Sequence, residues 1–363
     1  MKTICLLLAL GTAAHACDLC GTTLIQHAPD SGTGFTLGAS EQFTRFRTLQ
    51  DSGHRIDNDA DQKLDSSITQ IFLGYHITPR LSVQVNVPLI RKTFHRGTET
   101  GGIENGRVQG LGDVSLMANW MALDHHAGDF TFHLSVNAGV KFPTGDSDRV
   151  KEEAAEGHGH GAEAPEPADA HADEVAEDGH ATRGPRHGGV AHAAQGHVEA
   201  AADAGEAPET PEPLPHGIHG HDLALGTGSL DGLIGGSVHA RWKRIFFNGE
   251  VQYAIRGDGE HNYDFANDLL WSGGPGVTLI ERDTHTLSVQ LVCSGETKGE
   301  DEFRGRRAAD TATTQVFLGP KISGTWRERF AAEVGLEVPI HRDNSGVQIM
   351  PDYRLRAAMS WSF

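Results

Sequence analysis

The sequence predicts an all-β chain: a transmembrane antiparallel up-and-down β-barrel of about 12 strands, with short periplasmic turns and long extracellular loops. Three observations predict it. Apolar and polar residues alternate with period two, over segments about as long as the ~9–11 residues that a tilted membrane strand needs. Short and long connections alternate strictly along the chain. The chain also ends on an aromatic residue, Phe363, in phase with the apolar face of its last segment.

The first segment lies near 35–48, and Glu41 and Arg45 interrupt its apolar face. The next two, near 66–77 and 81–92, are joined by 78–80; in the second, Leu81, Val83, Val85, Val87 and Leu89 oppose Ser82, Gln84, Asn86 and Pro88. Segments near 112–124 and 129–142 follow. In the latter, Phe130, Phe132, Leu134, Val136 and Val140 alternate with Thr131, His133, Ser135, Asn137 and Lys141. Segments near 230–242 and 244–256 meet at residue 243, and Phe247, Val251, Tyr253 and Ile255 oppose Asn248, Glu250, Gln252 and Arg256. Segments near 267–280 and 285–295 form the next pair. Those near 311–326 and 329–341 follow, with Phe330, Val334, Leu336, Val338 and Ile340 on one face of the second. The last, 351–363, sets Tyr353, Leu355, Met359, Trp361 and Phe363 against Arg354, Arg356, Ser360 and Ser362.

The links at 78–80, 125–128, 243, 281–284 and 327–328 are short; those at 49–65, 93–111, 143–229, 257–266, 296–310 and 342–350 are longer and polar. An outer-membrane barrel has this asymmetry, and an even strand count places both termini on the periplasmic side. A water-soluble sandwich could also show period-two strands, but it does not require such alternation.

Composition removes other classes. The 363 residues carry a formal net charge of −19, from 30 Lys+Arg against 49 Asp+Glu. Nucleic acid is therefore not an expected partner, because phosphate recognition needs a cationic face. Mean hydropathy is −0.36, and no run of about 18 apolar residues follows the amino terminus, which excludes a helical membrane protein.

Residues 1–16 read as a secretory signal peptide: Lys2, a short apolar core from Ile4 to Leu10, and the small-x-small site Ala14, His15, Ala16. Cleavage there leaves Cys17 first and opens a lipoprotein reading, although Ala14 stands where Leu is usual. Residues 17–34 form an amino-terminal periplasmic segment, 35–149 the first part of the barrel, and 222–363 the second. Between them, 150–221 reads as a His-rich, acidic, disordered extracellular insert. Val150 to Leu214 contains no aromatic residue and holds 15 acidic against three basic side chains, too little apolar surface to offset ordering entropy.

Several strings resemble those of the outer-membrane transporter-like barrel family named for the MetA-pathway of phenol degradation. They are Gly110-Leu111-Gly112-Asp113, Lys141-Phe142-Pro143-Thr144-Gly145-Asp146, Leu225-Gly226-Thr227-Gly228-Ser229-Leu230-Asp231, and the close from Gly346 through Asp352-Tyr353-Arg354 to Trp361-Ser362-Phe363. The resemblance covers most of the chain from about residue 35, apart from the insert. It implies a small barrel that moves solutes across the bacterial outer membrane. It brings no agreed substrate. The insert and the amino-terminal Cys17-Asp18-Leu19-Cys20 depart from the family pattern.

The polar inward positions are His133, Asn137, Lys141, His239, Glu250, Gln252, Arg256, Lys321, Glu333, Glu337, Arg354 and Arg356. They either line a pore whose charges sort solutes or fill a narrow interior with ion pairs. Both signs are present, so neither a cation nor an anion channel is indicated.

Cys17 and Cys20 could hold a soft metal, act as a redox pair, or form a local disulfide. Gly21 after the second cysteine excludes covalent haem. Cys293 is in phase with Val289 and Leu291 on the lipid face and reads as an inert hydrophobe.

Ten of the 22 histidines fall within residues 158–221. His158 with His160, and His216 with His219 and His221, are spaced so that a flexible chain could bring their rings to one zinc or copper ion. The alternative is a solvated low-complexity loop.

The sequence contains no G-x-S-x-G elbow, P-loop or H-E-x-x-H pair, so no enzyme is expected. The expected partners are outer-membrane lipid, a small-molecule or metal-ion solute, and the barrel-assembly machinery, which would read Trp361 and Phe363 as the closing signal. Two functions stand at this stage: a pore or transporter for small solutes, and a metal-binding surface protein in which the barrel displays the His-rich loop.

Overall fold

The computed structural model describes residues 33–98, 102–154 and 215–363. Cys17, Cys20, His158 and His160 lie outside these residues, as do the signal segment and most of the insert. Twelve long strands build one closed antiparallel sheet. They are β1 (Gly34–Asp51), β2 (Lys63–Thr78), β3 (Leu81–Gly97), β4 (Ser115–Ala127), β5 (Phe130–Lys141), β6 (Asp231–Trp242), β7 (Ile245–Ile255), β8 (Asp268–Arg282), β9 (His285–Lys298), β10 (Thr313–Trp326), β11 (Phe330–Asn344) and β12 (Val347–Ser362). Each pairs with its chain neighbours. The ring closes through β12 and β1, from Thr36 opposite Ser362 to Asp51 opposite Val347. Closure removes the edges that water would otherwise have to satisfy, the condition for strands to cross lipid. Among the described residues, no helix is long and apolar enough to span a membrane.

The expected alternation sets the two faces. Leu37, Leu73, Leu89, Val136, Val251, Leu291, Val338 and Met359 are exposed on the outside. Aromatic rings gather at the periplasmic end: Phe35 lies 4.7 Å from Tyr75 and 6.4 Å from Phe363, and Phe330 lies 6.2 Å from Trp361. Trp120, Trp242 and Trp326 are exposed at the same end, so the rings form a girdle at one membrane interface. The periplasmic hairpins are tight, with left-handed φ at Gly128, Lys243, Arg327 and Glu328, as short antiparallel turns demand.

Besides strand ends that run further into the loops than predicted, such as β3 to Gly97 and β9 to Lys298, four departures from the sequence reading stand out. Ile103–Leu111, read as loop, is a strand that pairs with the upper half of β3, in line with β4 but separated from it by Gly112, Asp113 and Val114. Residues 347–350 belong to β12. Glu41 and Arg45 are accommodated by neighbours: Glu41 accepts hydrogen bonds from Ser67 and Thr69, and Arg45 pairs with Asp65 at 3.0 Å.

The fourth departure concerns the flanks of the insert, which are folded. A 3₁₀ helix spans Asp148–Ala154, and a single helical turn spans Gly220–Leu223. Ile218 and Leu223 are fully buried against Phe46, Leu64, Phe94 and Ile349, and Leu225 packs on Ile68 and Ile90. Val150, Ala224, Tyr263 and Phe265 form a third cluster beside them. These few large apolar residues, at the margins of a polar region, anchor the flanks in the extracellular half of the lumen. The boundaries 150 and 221 therefore fall inside folded chain.

Candidate functional site

Three of the strings that carried the family resemblance meet at one point on the inner wall. Asp113 sits in the break between Ile103–Leu111 and β4. Its carboxylate accepts hydrogen bonds from the Gly145 amide at 3.0 Å, the Thr227 amide at 2.8 Å and the Thr227 hydroxyl at 2.9 Å. Thr144 donates its hydroxyl to the Gly112 carbonyl and accepts from the Val114 amide, both at 2.8 Å. The Leu225 and Gly226 amides donate to the Asp146 carbonyl. A Cβ on Gly226 would stand 2.6 Å from Asp113 Oδ1 and 2.7 Å from Gly145 Cα, so the close approach requires glycine.

Buried charge completes this knot. Lys141 Nζ lies 2.9 Å from Asp231 and 3.2 Å from Asp113; Arg256 lies 2.6 Å from Asp231 and also binds Asp268. Ser229 donates to Asp231. The five ionic side chains Lys141, Asp113, Asp231, Arg256 and Asp268 are almost inaccessible to water, so each needs the others to offset its lost hydration.

Below the knot the lumen opens into a cavity that water can enter. Of the predicted inward residues, Asn137, Glu250, Gln252, Lys321, Glu333, Glu337, Arg354 and Arg356 line it. Glu250 accepts a hydrogen bond from Ser272 at 2.7 Å, and the other charges are paired across strands. Arg354 binds Glu296 at 2.9 Å, with its guanidinium 4.1 Å above the Phe317 ring; Lys321 faces Glu333 at 3.3 Å; Arg356 faces Glu337 at 3.7 Å. A second cavity adjoins it, where Ser272, Ser288, Ser323 and Ala358 join Glu250 and Lys321. Lys141 and Arg256 lie apart from both cavities, in the knot. His133 and His239 stand opposite each other on β5 and β6, with ring centroids 5.8 Å apart, near the periplasmic end. The inward set thus divides into lining residues, filling residues and a rim.

At the extracellular end the structure brings together His216, His219 and His221, with ring centroids 5.0 and 5.5 Å apart along the series. His219 Nε2 lies 3.2 Å from the Val347 carbonyl. His221 is buried, with Nδ1 2.9 Å from Glu153 and Nε2 3.6 Å from Asp222. Burial alone would depress its pKa, but Asp222 and Glu153 outweigh this and push it up to about 9. At neutral pH the ring is therefore a cation held between carboxylates. Beside it, burial pushes the Tyr263 hydroxyl well above its usual range, and this hydroxyl donates to Asp301 at 2.6 Å.

Sequence reasoning missed Asp113, Asp231, Asp268, Glu153 and Glu296, each of which partners a buried cation. Asp113 and Asp231 were visible only as members of the quoted strings. Asp268 opens a strand and Glu296 lay in a predicted loop, and no periodicity distinguishes such a position from solvent-exposed polar chain.

A closed twelve-stranded barrel with a lipid-facing apolar band, an aromatic girdle and a charged lumen defines an outer-membrane β-barrel protein. Its fold is similar to the crystal structure of an outer membrane channel from Pseudomonas putida F1, with a TM-score of 0.57 at 14% identity, over 94% of this chain and all of that one. Looser likenesses include the translocator domain of the autotransporter NalP from Neisseria meningitidis, with a TM-score of 0.37 at 11% identity, over 92% of this chain and 90% of that one. Another is the monoaromatic hydrocarbon channel CymD, also at 0.37, with 8% identity over 91% and 88%. No protein-family model matches the sequence, and no curated protein matches it.

Proposed function

We propose that this barrel is a channel for small solutes across the bacterial outer membrane. The observation that carries this reading is the water-open cavity inside the wall, lined by charges of both signs. A barrel that served only as an anchor gains nothing from hollow space, whereas a conduit needs a wet, polar path. The lining carries five acidic and three basic side chains, which suits small polar or zwitterionic solutes better than anions. The resemblance to the phenol-degradation transporter-like family supports the same role without naming a substrate. In this reading the folded flanks of the insert act as a collar at the extracellular mouth. The alternative, display of a metal-binding loop, rests mainly on histidines outside the described residues.

The test is single-channel recording in planar bilayers. Discrete conductance steps are expected, and their size should change when residues 155–214 are deleted if the insert guards the mouth. A correctly folded barrel that gives no steps at any voltage overturns the channel.

A further inference from the structure

The geometry points to a divalent transition-metal site at the periplasmic mouth of the barrel, formed by Asp124, His126 and His133, with His239 within reach as a fourth ligand. The site is independent of the His-rich insert and goes beyond the channel reading.

The first observation is a β-bulge. On β4, Leu116, Ala118 and Trp120 face outward. The register against β5 then shifts between Met121 and Leu123, with Ala122 as the extra residue. Leu123 is consequently exposed on the outside beside Leu134, while Asp124 and His126 turn to the lumen side with Thr131 and His133. Bulges re-aim side chains in this way near functional positions.

The second observation is convergence. One oxygen of Asp124 lies 2.9 Å from His126 Nε2 and 3.2 Å from His133 Nε2. The three donor atoms all fall within 4.8 Å of one another. Ligands at ~2.0–2.1 Å around a tetrahedral ion stand about 3.3 Å apart, so side-chain adjustments alone would gather them. The rings of His126 and His133 are 5.4 Å apart, and those of His133 and His239 are 5.8 Å apart. Asn248 Oδ1 lies 2.6 Å from His239 Nδ1, an outer partner that fixes the ring as such partners do for ligating histidines.

The third observation is chemical. Two imidazoles and one carboxylate suit zinc, copper or nickel and not calcium or magnesium, which take oxygen ligands. The side chains are partly accessible, so an ion can enter from the periplasm. His125, between the two lumen-facing residues, points to the other face beside Phe130 and supplies an internal control.

Diethyl pyrocarbonate labelling of the folded full chain, read residue by residue by mass spectrometry, tests the site against micromolar zinc. His126 and His133 should be protected several-fold, with His125 unchanged. Loss of even an outer-shell partner costs roughly 10–100-fold in affinity, and Asp124 is a direct ligand here, so Asp124→Asn should raise the zinc midpoint at His133 by at least about tenfold. Heat-modifiable migration confirms that the variant is folded, and His126→Ala provides a second variant. Equal labelling of His126 and His133 with and without zinc overturns the site. So does protection confined to His216, His219 or the insert, or protection that Asp124→Asn leaves unchanged.

Discussion

Lys141, the last residue of β5, stands directly opposite Asp231, the first residue of β6, with 2.9 Å between Nζ and Oδ2. The whole insert leaves and rejoins the barrel between these two residues. Their pairing pins the ends of the longest loop in the chain, where closure entropy is greatest.

Lys141→Met should therefore destabilise the barrel strongly. It leaves Asp113 with no cation and Asp231 with Arg256 alone, and breaking a buried pair from one side costs about 3–5 kcal/mol. Adding Asp113→Asn should recover part of the loss. Urea unfolding in lipid vesicles, followed by tryptophan fluorescence, measures both.

Ala358 faces the lumen across from Glu333 and leaves space that the cavity uses. Ala358→Trp should cut single-channel conductance at least about threefold, because an indole would occupy the path. Met359→Trp, one residue away on the exposed outer face, should leave conductance unchanged. Equal effects at the two positions would mean that current does not pass through this cavity.

The collar should loosen at alkaline pH. His221 has its pKa raised from 6.5 to about 9 in the folded state. Its contribution is fully present below pH 6.5 and is lost as pH rises through 9. The opening constant of the Gly220–Leu223 turn should rise by up to about tenfold per pH unit in that window. Amide hydrogen exchange at Ala224, corrected for its intrinsic pH dependence, reads this, and His221→Gln should flatten the profile.

Deleting Ala122 should be tolerated, because it removes the bulge and leaves Asp124 and His126 facing the lumen and Leu123 facing lipid. Deleting Ala118 instead reverses the phase of the residues that follow it up to the bulge, turning Trp120 inward. Heat-modifiable migration of the assembled barrel should separate the two.

Phe363 is exposed on the outer face and exchanges backbone hydrogen bonds with Phe35 at 3.0 Å in each direction. Phe363→Asp should impair assembly in cells far more than Ser362→Asp. Near the interface a charge costs only about 0–1 kcal/mol, so a large defect would reflect lost recognition by the assembly machinery.

The twelve strands, their inward and outward faces and the asymmetry of the loops were legible in the sequence, since alternation is local and each segment carries its own signal. Inward positions follow from the same alternation: once Val251 faces lipid, Glu250 and Gln252 must face inward. Tertiary structure decided what those residues do. Asp113, Lys141 and Asp231 are far apart in the chain, and only the pairing of β5 with β4 and β6 brings them into one ion network. The bulge at Ala122 is a pairing irregularity with no local signature, so Asp124 and His126 could not be placed on the lumen side from alternation. Ile218, Leu223 and Leu225 sit in polar chain with no periodicity. The inner wall of β1–β3 gives them a surface to bury against, and that burial orders the flanks of the insert.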